Sequence, residues 1–169
     1  MDKLVEAEFF PRNSGDQWHQ AHLSAGSQIK QTRRILIVDN DPDSTHLVKI
    51  LLERTGSYFV LEENVATKAH QTALSFKPDL ILLDIMMPQA DGYEVAAQIA
   101  ADPELQRTPI VFLTALVTKS EAEAGLRIQG HPFVAKPINI PDLIKAIEEN
   151  LPAQAVAQVG NRPILNNGE

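Results

Sequence analysis

Five short apolar runs, each separated from the next by a helix-like stretch, constrain this chain more than any other feature. Residues 35–38, Ile-Leu-Ile-Val, lead into Asp39, Asn40, Asp41 and Pro42. Residues 58–61 form the second run, and residues 79–83 the third, which ends at Asp84. Residues 109–113 end at Thr114, and residues 132–135 end at Lys136 and Pro137. Such runs have the length of strands, and their lack of polar alternation marks strands covered on both faces. The intervening stretches carry helical signals. Asp43 or Ser44 can cap a helix whose Leu47, Ile50 and Leu51 share one face. Residues 66–76, 93–101 and 119–129 supply further helices. The last, 140–151, aligns Leu143, Ile144, Ile147 and Leu151.

Five such βα units predict an α/β domain in which a parallel, five-stranded sheet is sandwiched between helices. Right-handed crossovers favour a doubly wound sheet, with strand order 2-1-3-4-5 as the candidate. In sheets of this kind, sites open beyond the carboxyl ends of the strands, at the switch point between strands 1 and 3. The chain has 169 residues, 44% of them apolar, enough for one domain with its own core. Residues 34–151 read as that domain. Residues 1–33 read as a flexible N-terminal arm with a short helix near 4–10, and residues 152–169 as a flexible tail, so a stand-alone domain is expected.

The composition excludes several classes. No apolar run is long enough to cross a bilayer, and no secretory signal opens the chain. The absence of cysteine rules out disulfides, thiolate metal sites and thiol nucleophiles, and agrees with a cytoplasmic location. Net charge is −7, and residues 35–150 hold 17 acidic against 9 basic side chains. An acidic domain repels phosphate backbones, so direct nucleic-acid binding is disfavoured.

The polar residues stand where the topology wants a site. Asp39, Asn40 and Asp41 follow strand 1, Asp84 follows strand 3, Thr114 strand 4 and Lys136 strand 5. This set suits phosphoryl transfer. A carboxylate can attack phosphorus and form an acyl phosphate. Neighbouring oxygens can hold a divalent cation. A Lys ammonium and a Thr hydroxyl can bind the remaining phosphoryl oxygens.

Here the sequence resembles a family. The stretches Ile-Leu-Ile-Val-Asp-Asn-Asp-Pro-Asp ending at Asp43, Leu-Leu-Asp-Ile-Met-Met-Pro ending at Pro88, Asp91-Gly92-Tyr93-Glu94, Phe112-Leu113-Thr114-Ala115 and Ala135-Lys136-Pro137 are similar to the landmarks of response-regulator receiver domains, in the family's order and at close to its spacings. The resemblance implies a flavodoxin-like fold with Asp84 as phosphoacceptor. It implies a Mg²⁺ site made by Asp39, Asn40, Asp84 and the Met86 carbonyl, with Thr114 and Lys136 on the phosphoryl group and a cis peptide before Pro137. Phe133 fills the position of an aromatic switch, more often Tyr, that turns inward as Thr114 moves. Met86 and Leu116 flank the path of the water that hydrolyses the phosphoryl group. The donor implied is a phosphohistidine on a histidine kinase or phosphotransfer protein. The output is altered binding to a downstream protein on the face of segment 119–129, strand 5 and the last helix. The resemblance implies a signalling module that labels itself and does not turn over. Asn40 departs from the family, which has a second acid there; an amide oxygen can ligate a hard cation but brings no charge.

Two other readings compete. The missing acid at position 40 motivates a receiver-like module that binds partners without phosphorylation. Asp39-x-Asp41 after an apolar strand also resembles the nucleophile motif of haloacid-dehalogenase-type phosphatases, with Thr114 and Lys136 as its later motifs. That reading leaves Asp84 unexplained and lacks the further acid after the lysine strand. Asp39-x-Asp41-x-Asp43 fails as a calcium loop, because Ser44 and Ile50 replace the required Gly and terminal acid.

Overall fold

The computed structural model describes residues 32–118, 120, 121 and 124–152. The expected arm and tail, with the 4–10 helix, lie outside the described residues except for their innermost positions. Strands β1 (Arg33–Val38), β2 (Tyr58–Glu63), β3 (Leu80–Asp84), β4 (Ile110–Thr114) and β5 (Phe133–Ala135) form one sheet of order β2-β1-β3-β4-β5. All four pairings are parallel. β1 begins at Arg33, which pairs with Tyr58, so the domain takes in one residue that the sequence assigns to the arm.

Alternation along the central strands divides the core into two layers. Leu36, Val38, Ile81, Leu83, Ile110 and Phe112 face helices α2 (Ala69–Phe76) and α3 (Gly92–Ala101). Ile35, Ile37, Leu80, Leu82, Val111 and Leu113 face α1 (Pro42–Glu53) and α4 (Ile140–Asn150). Strands with both faces covered in this way have no use for polar alternation.

Three local expectations are corrected. Helix α1 is capped by Asp41, not Asp43 or Ser44; its carboxylate accepts the Asp43 and Ser44 N–H groups, and Pro42 takes the first helical turn, where its missing N–H costs nothing. The buried face of α1 is Thr45, Val48 and Leu52, whereas Leu47 is 58% exposed and Ile50 is exposed too. At about 100° per residue, Leu47 and Ile50 fall on the side of the helix opposite the Thr45, Val48 and Leu52 stripe. Segment 119–129 is not helical to its end: Ser120 and Glu121 are helical, but Ala124 and Gly125 form a turn. Ile128 and His131 then exchange both backbone hydrogen bonds, at 2.9 Å each. Gln129 and Gly130 between them have φ of 49° and 84°, the two left-handed centres of a tight hairpin turn.

Candidate functional site

The parallel register brings four strand ends to one edge. Val38 pairs with Leu83, Asp84 with Leu113, and Thr114 with Ala135. Asp39, Asp84, Thr114 and Lys136 therefore emerge side by side. Asp39 and Asp84 are 1% and 4% exposed, and Thr114 is fully buried. Buried carboxylates require partners. Lys136 supplies them: its Nζ donates to Asp39 Oδ2 at 2.7 Å and stands 3.2 Å from Asp84 Oδ2. One ammonium thus bridges two acids contributed by different strands.

Backbone groups hold each side chain in place. Asp39 Oδ1 accepts the Asp41 N–H at 2.9 Å. The Asp84 carboxylate accepts the Met86 N–H. Thr114 Oγ1 accepts the Leu116 N–H at 3.0 Å, and the Lys136 N–H donates to the Thr114 carbonyl at 2.8 Å. The Lys136–Pro137 peptide is cis. Phe133 is buried in the core layer that contains Phe112. Met86 and Leu116 project outward, and Asn40 is exposed. The Asp41 carboxylate, which a phosphatase of the competing class needs as its acid, is engaged at the start of α1.

Sequence reasoning overlooked two supporting residues. Asn64 Nδ2 donates to the Asp39 carbonyl at 2.7 Å and to Thr45 Oγ1 at 3.0 Å. Thr45 Oγ1 in turn donates to the Pro42 carbonyl and to Glu62 Oε2. Asn64 directly follows β2, but the second apolar run ends at residue 61, so the rule that found the other strand-end residues stops short of it. The sequence marks Gly92 only as part of a family landmark. Its N–H donates to the Ile85 carbonyl at 2.9 Å, and a Cβ at this position would overlap the Asp84 carbonyl oxygen.

Burial is the strongest influence on Asp84 and pushes its carboxyl above the usual carboxylate range; the Asp39 charge adds to this, while Lys136 and the Met86 N–H oppose it. For Lys136, burial alone works downward, but the hydrogen bonds and charges of Asp39 and Asp84 together outweigh it and hold the ammonium above its ordinary value. Lys136 is therefore firmly cationic. The oxygens of Asp39 and Asp84, already sharing one cation, are hard donors of the kind that Mg²⁺ takes. Among the described residues no group of three or more His, Asp or Glu side chains is gathered for a metal.

Comparison with known proteins places these observations. The family described as response regulator receiver domain matches residues 35–148. The chain is 37% identical over 128 residues to response regulator Rre1 of Synechocystis sp., covering 73% of this chain and 53% of that protein. It is 30% identical over 120 residues to the polar-differentiation response regulator DivK of Brucella ovis, covering 71% of this chain and 97% of DivK. The chain thus spans about half the length of the first relative and nearly all of the second. The receiver domain of a sensor histidine kinase from Pseudomonas aeruginosa, solved with magnesium coordinated in its active-site cleft, superposes with a TM-score of 0.59 at 26% identity, covering 70% of this chain and 97% of that one.

Proposed function

The chain belongs to the response regulator receiver domain family, and on that premise we propose that it takes a phosphoryl group from phosphohistidine onto Asp84 and signals by altered protein–protein binding. The observation that carries this reading is the Lys136 ammonium bridging the buried Asp39 and Asp84 carboxylates. The donor is a histidine kinase or a histidine phosphotransfer protein. The P–N bond of its phosphohistidine breaks as a P–O bond forms to an Asp84 oxygen. The freed imidazole leaves with the electron pair and takes up a proton. Lys136 and the Thr114 hydroxyl bind the phosphoryl oxygens. Asp39, Asp84, the Met86 carbonyl and Asn40 would hold Mg²⁺, which when bound supplies positive charge against the transferring group.

Each chain accepts one phosphoryl group, so the protein is a signalling module and not a turnover enzyme. Among the described residues no helix is long and apolar enough to cross a membrane. We place the protein in the cytoplasm, the compartment that suits a cysteine-free, acidic chain whose donor is a kinase. Its output face is formed by segment 119–129, β5 and α4. A cleft of about 670 Å³ opens there, lined among others by Leu126, Phe133, Lys136 and Lys145. Lys136 thus belongs both to the phosphorylation site and to the wall of this cleft, which gives the modification a direct route to the binding face. Phe133, at the aromatic switch position, lines the same cleft.

Incubation with acetyl phosphate and Mg²⁺ should add one phosphoryl mass to the intact protein, and Asp84→Asn should abolish the addition. Undiminished labelling of that variant would remove Asp84 as the acceptor. No labelling of the native chain would favour a module that binds without phosphorylation.

A further inference from the structure

The ladder between β1 and β2 closes on a side chain. Its last backbone bond runs from the Asp39 N–H to the Glu63 carbonyl at 3.2 Å. In a parallel pair that continued one step further, the Val65 N–H would donate to the Asp39 carbonyl. Val65 instead turns its N–H to Glu63 Oε1 at 2.9 Å. Asn64 Nδ2 takes that place and donates to the Asp39 carbonyl at 2.7 Å. Its second hydrogen goes to Thr45 Oγ1 at 3.0 Å, and only an amide or a cation offers two such donors from one nitrogen. Thr45 is fully buried, and its hydroxyl reaches the Pro42 carbonyl at 3.0 Å and Glu62 Oε2 at 3.1 Å. One amide therefore grips both ends of the turn from Asp39 to Pro42. Within that turn the Asp41 N–H donates to Asp39 Oδ1, while Asp39 Oδ2 accepts from Lys136. The aim of the Asp39 carboxylate thus depends on a backbone that Asn64 holds.

We propose that Asn64 is a positioning residue for phosphoryl transfer, aiming the Asp39 carboxylate through its grip on the Asp39 carbonyl and on Thr45. The inference rests on the phosphoryl-transfer reading given above. It brings in β2, the one strand to which that reading gives no part. An apolar side chain at position 64 would withdraw the donor from both oxygens and free the turn to shift. Asp39 would then lose its fixed relation to Lys136 without any change in its own chemistry.

The test compares the full chain with Asn64→Ala, Thr45→Val and Thr45→Ser. Glu53→Ala, which loosens β2 at the Val60 N–H and not at Asp39, is the destabilised control. The first readout is the Asp41 amide proton by NMR in the unphosphorylated chain, which reports its hydrogen bond to Asp39 Oδ1. Asn64→Ala and Thr45→Val should move this resonance upfield. Thr45→Ser, which keeps the hydroxyl, and Glu53→Ala should leave it at its native position. The second readout is the initial rate of acetyl phosphate labelling, at a temperature where every variant is folded. It should fall at least about tenfold in Asn64→Ala and Thr45→Val, since misplacing a group by about 1 Å can cost about 10²-fold. Thr45→Ser and Glu53→Ala should stay near the native rate. A native Asp41 resonance in Asn64→Ala, or a rate loss that simply follows Tm across the four variants, would overturn the proposal. Should Asn64→Ala fail to fold, the two Thr45 variants decide: equal rates or equal Asp41 resonances in Thr45→Val and Thr45→Ser would sink it. A native chain that takes no label overturns the phosphoryl-transfer reading and this proposal with it. Labelling that persists unchanged in Asn64→Ala overturns the proposal alone.

Discussion

Gly92 packs so closely on the Asp84 carbonyl that a Cβ there would overlap its oxygen and stand 2.8 Å from Ile85 Cα. The obstructing atoms are backbone, so no side-chain rotation relieves them. The start of α3 is thereby seated against the strand that carries Asp84. Gly92→Ala should push α3 away and shift Asp84, at a stability cost of about 1–3 kcal/mol, the usual range for overpacking. Chemical denaturation reads the cost, and the rate of acetyl phosphate labelling reads the displacement. Native values for both would show that this contact positions nothing.

Much of the architecture was legible because physics leaves a mark in one dimension. A strand covered on both faces must be apolar along its covered length, and residues 35–38, 80–83 and 110–113 are. A site beyond the strand ends must be polar there, and Asp39, Asp84, Thr114 and Lys136 are. What was not legible depends on registration in space. Leu47 and Ile50 look like core in periodicity, but the inward stripe is Thr45, Val48 and Leu52. A buried Thr looks unfavourable until Pro42, Glu62 and Asn64 provide its partners. The close seat of Gly92 has no sequence mark, since a turn glycine and a contact glycine look alike.

Asp84 should be a stability liability at neutral pH. Burial first, then the Asp39 charge, raise its folded pKa above the unfolded value. An acid shifted this way contributes stability below its unfolded pKa and loses that contribution as pH rises through the folded pKa. At neutral pH the ionised Asp84 therefore works against folding, and Asp84→Asn should melt at higher temperature than the native chain. The margin should close as pH falls through the raised Asp84 range and into the ordinary carboxylate range. Lys136 retains Asp39 as a partner in this variant. Melting curves across pH decide the matter: a variant less stable than the native chain at neutral pH would mean that the Lys136 attraction, not burial, governs Asp84.

Glu53 should protect the open edge of the sheet. β2 is an outer strand, and the Val60 N–H donates to Glu53 Oε1 at 2.9 Å. A charged acceptor from α1 thus occupies a donor that would otherwise be free to pair with another chain. Glu53→Ala should lower unfolding free energy by about 1–3 kcal/mol, the range for a charge-assisted hydrogen bond whose donor loses its partner. Glu53→Gln keeps an acceptor and should cost less. Light scattering on warming should show earlier self-association for the Ala variant. Equal losses in the two variants would point to packing of the stem and not to the hydrogen bond.

The phosphorylated state should be long-lived, because the residues at its rim are apolar. The Met86 N–H reaches the Asp84 carboxylate and the Leu116 N–H reaches Thr114 Oγ1, so both backbones are tied to the reactive groups. Their side chains are 62% and 59% exposed and stand at the solvent boundary of the site. Neither can accept a proton from water or orient it with a strong hydrogen bond. Hydrolysis then proceeds without general-base help, a contribution typically worth about 10²–10⁴-fold where a base is well placed. A Met86→Asn, Leu116→Glu double variant supplies an orienting amide and a carboxylate at these two positions. After removal of the phosphodonor, its phosphoryl group should decay faster than that of the native chain, with the loss followed by intact mass. The exposure of both side chains limits the gain, since a carboxylate in water is a weak base, so an increase of about tenfold is expected, below the full range for a well-placed base. Equal or slower decay would show that the attacking water approaches Asp84 by a path that neither residue borders.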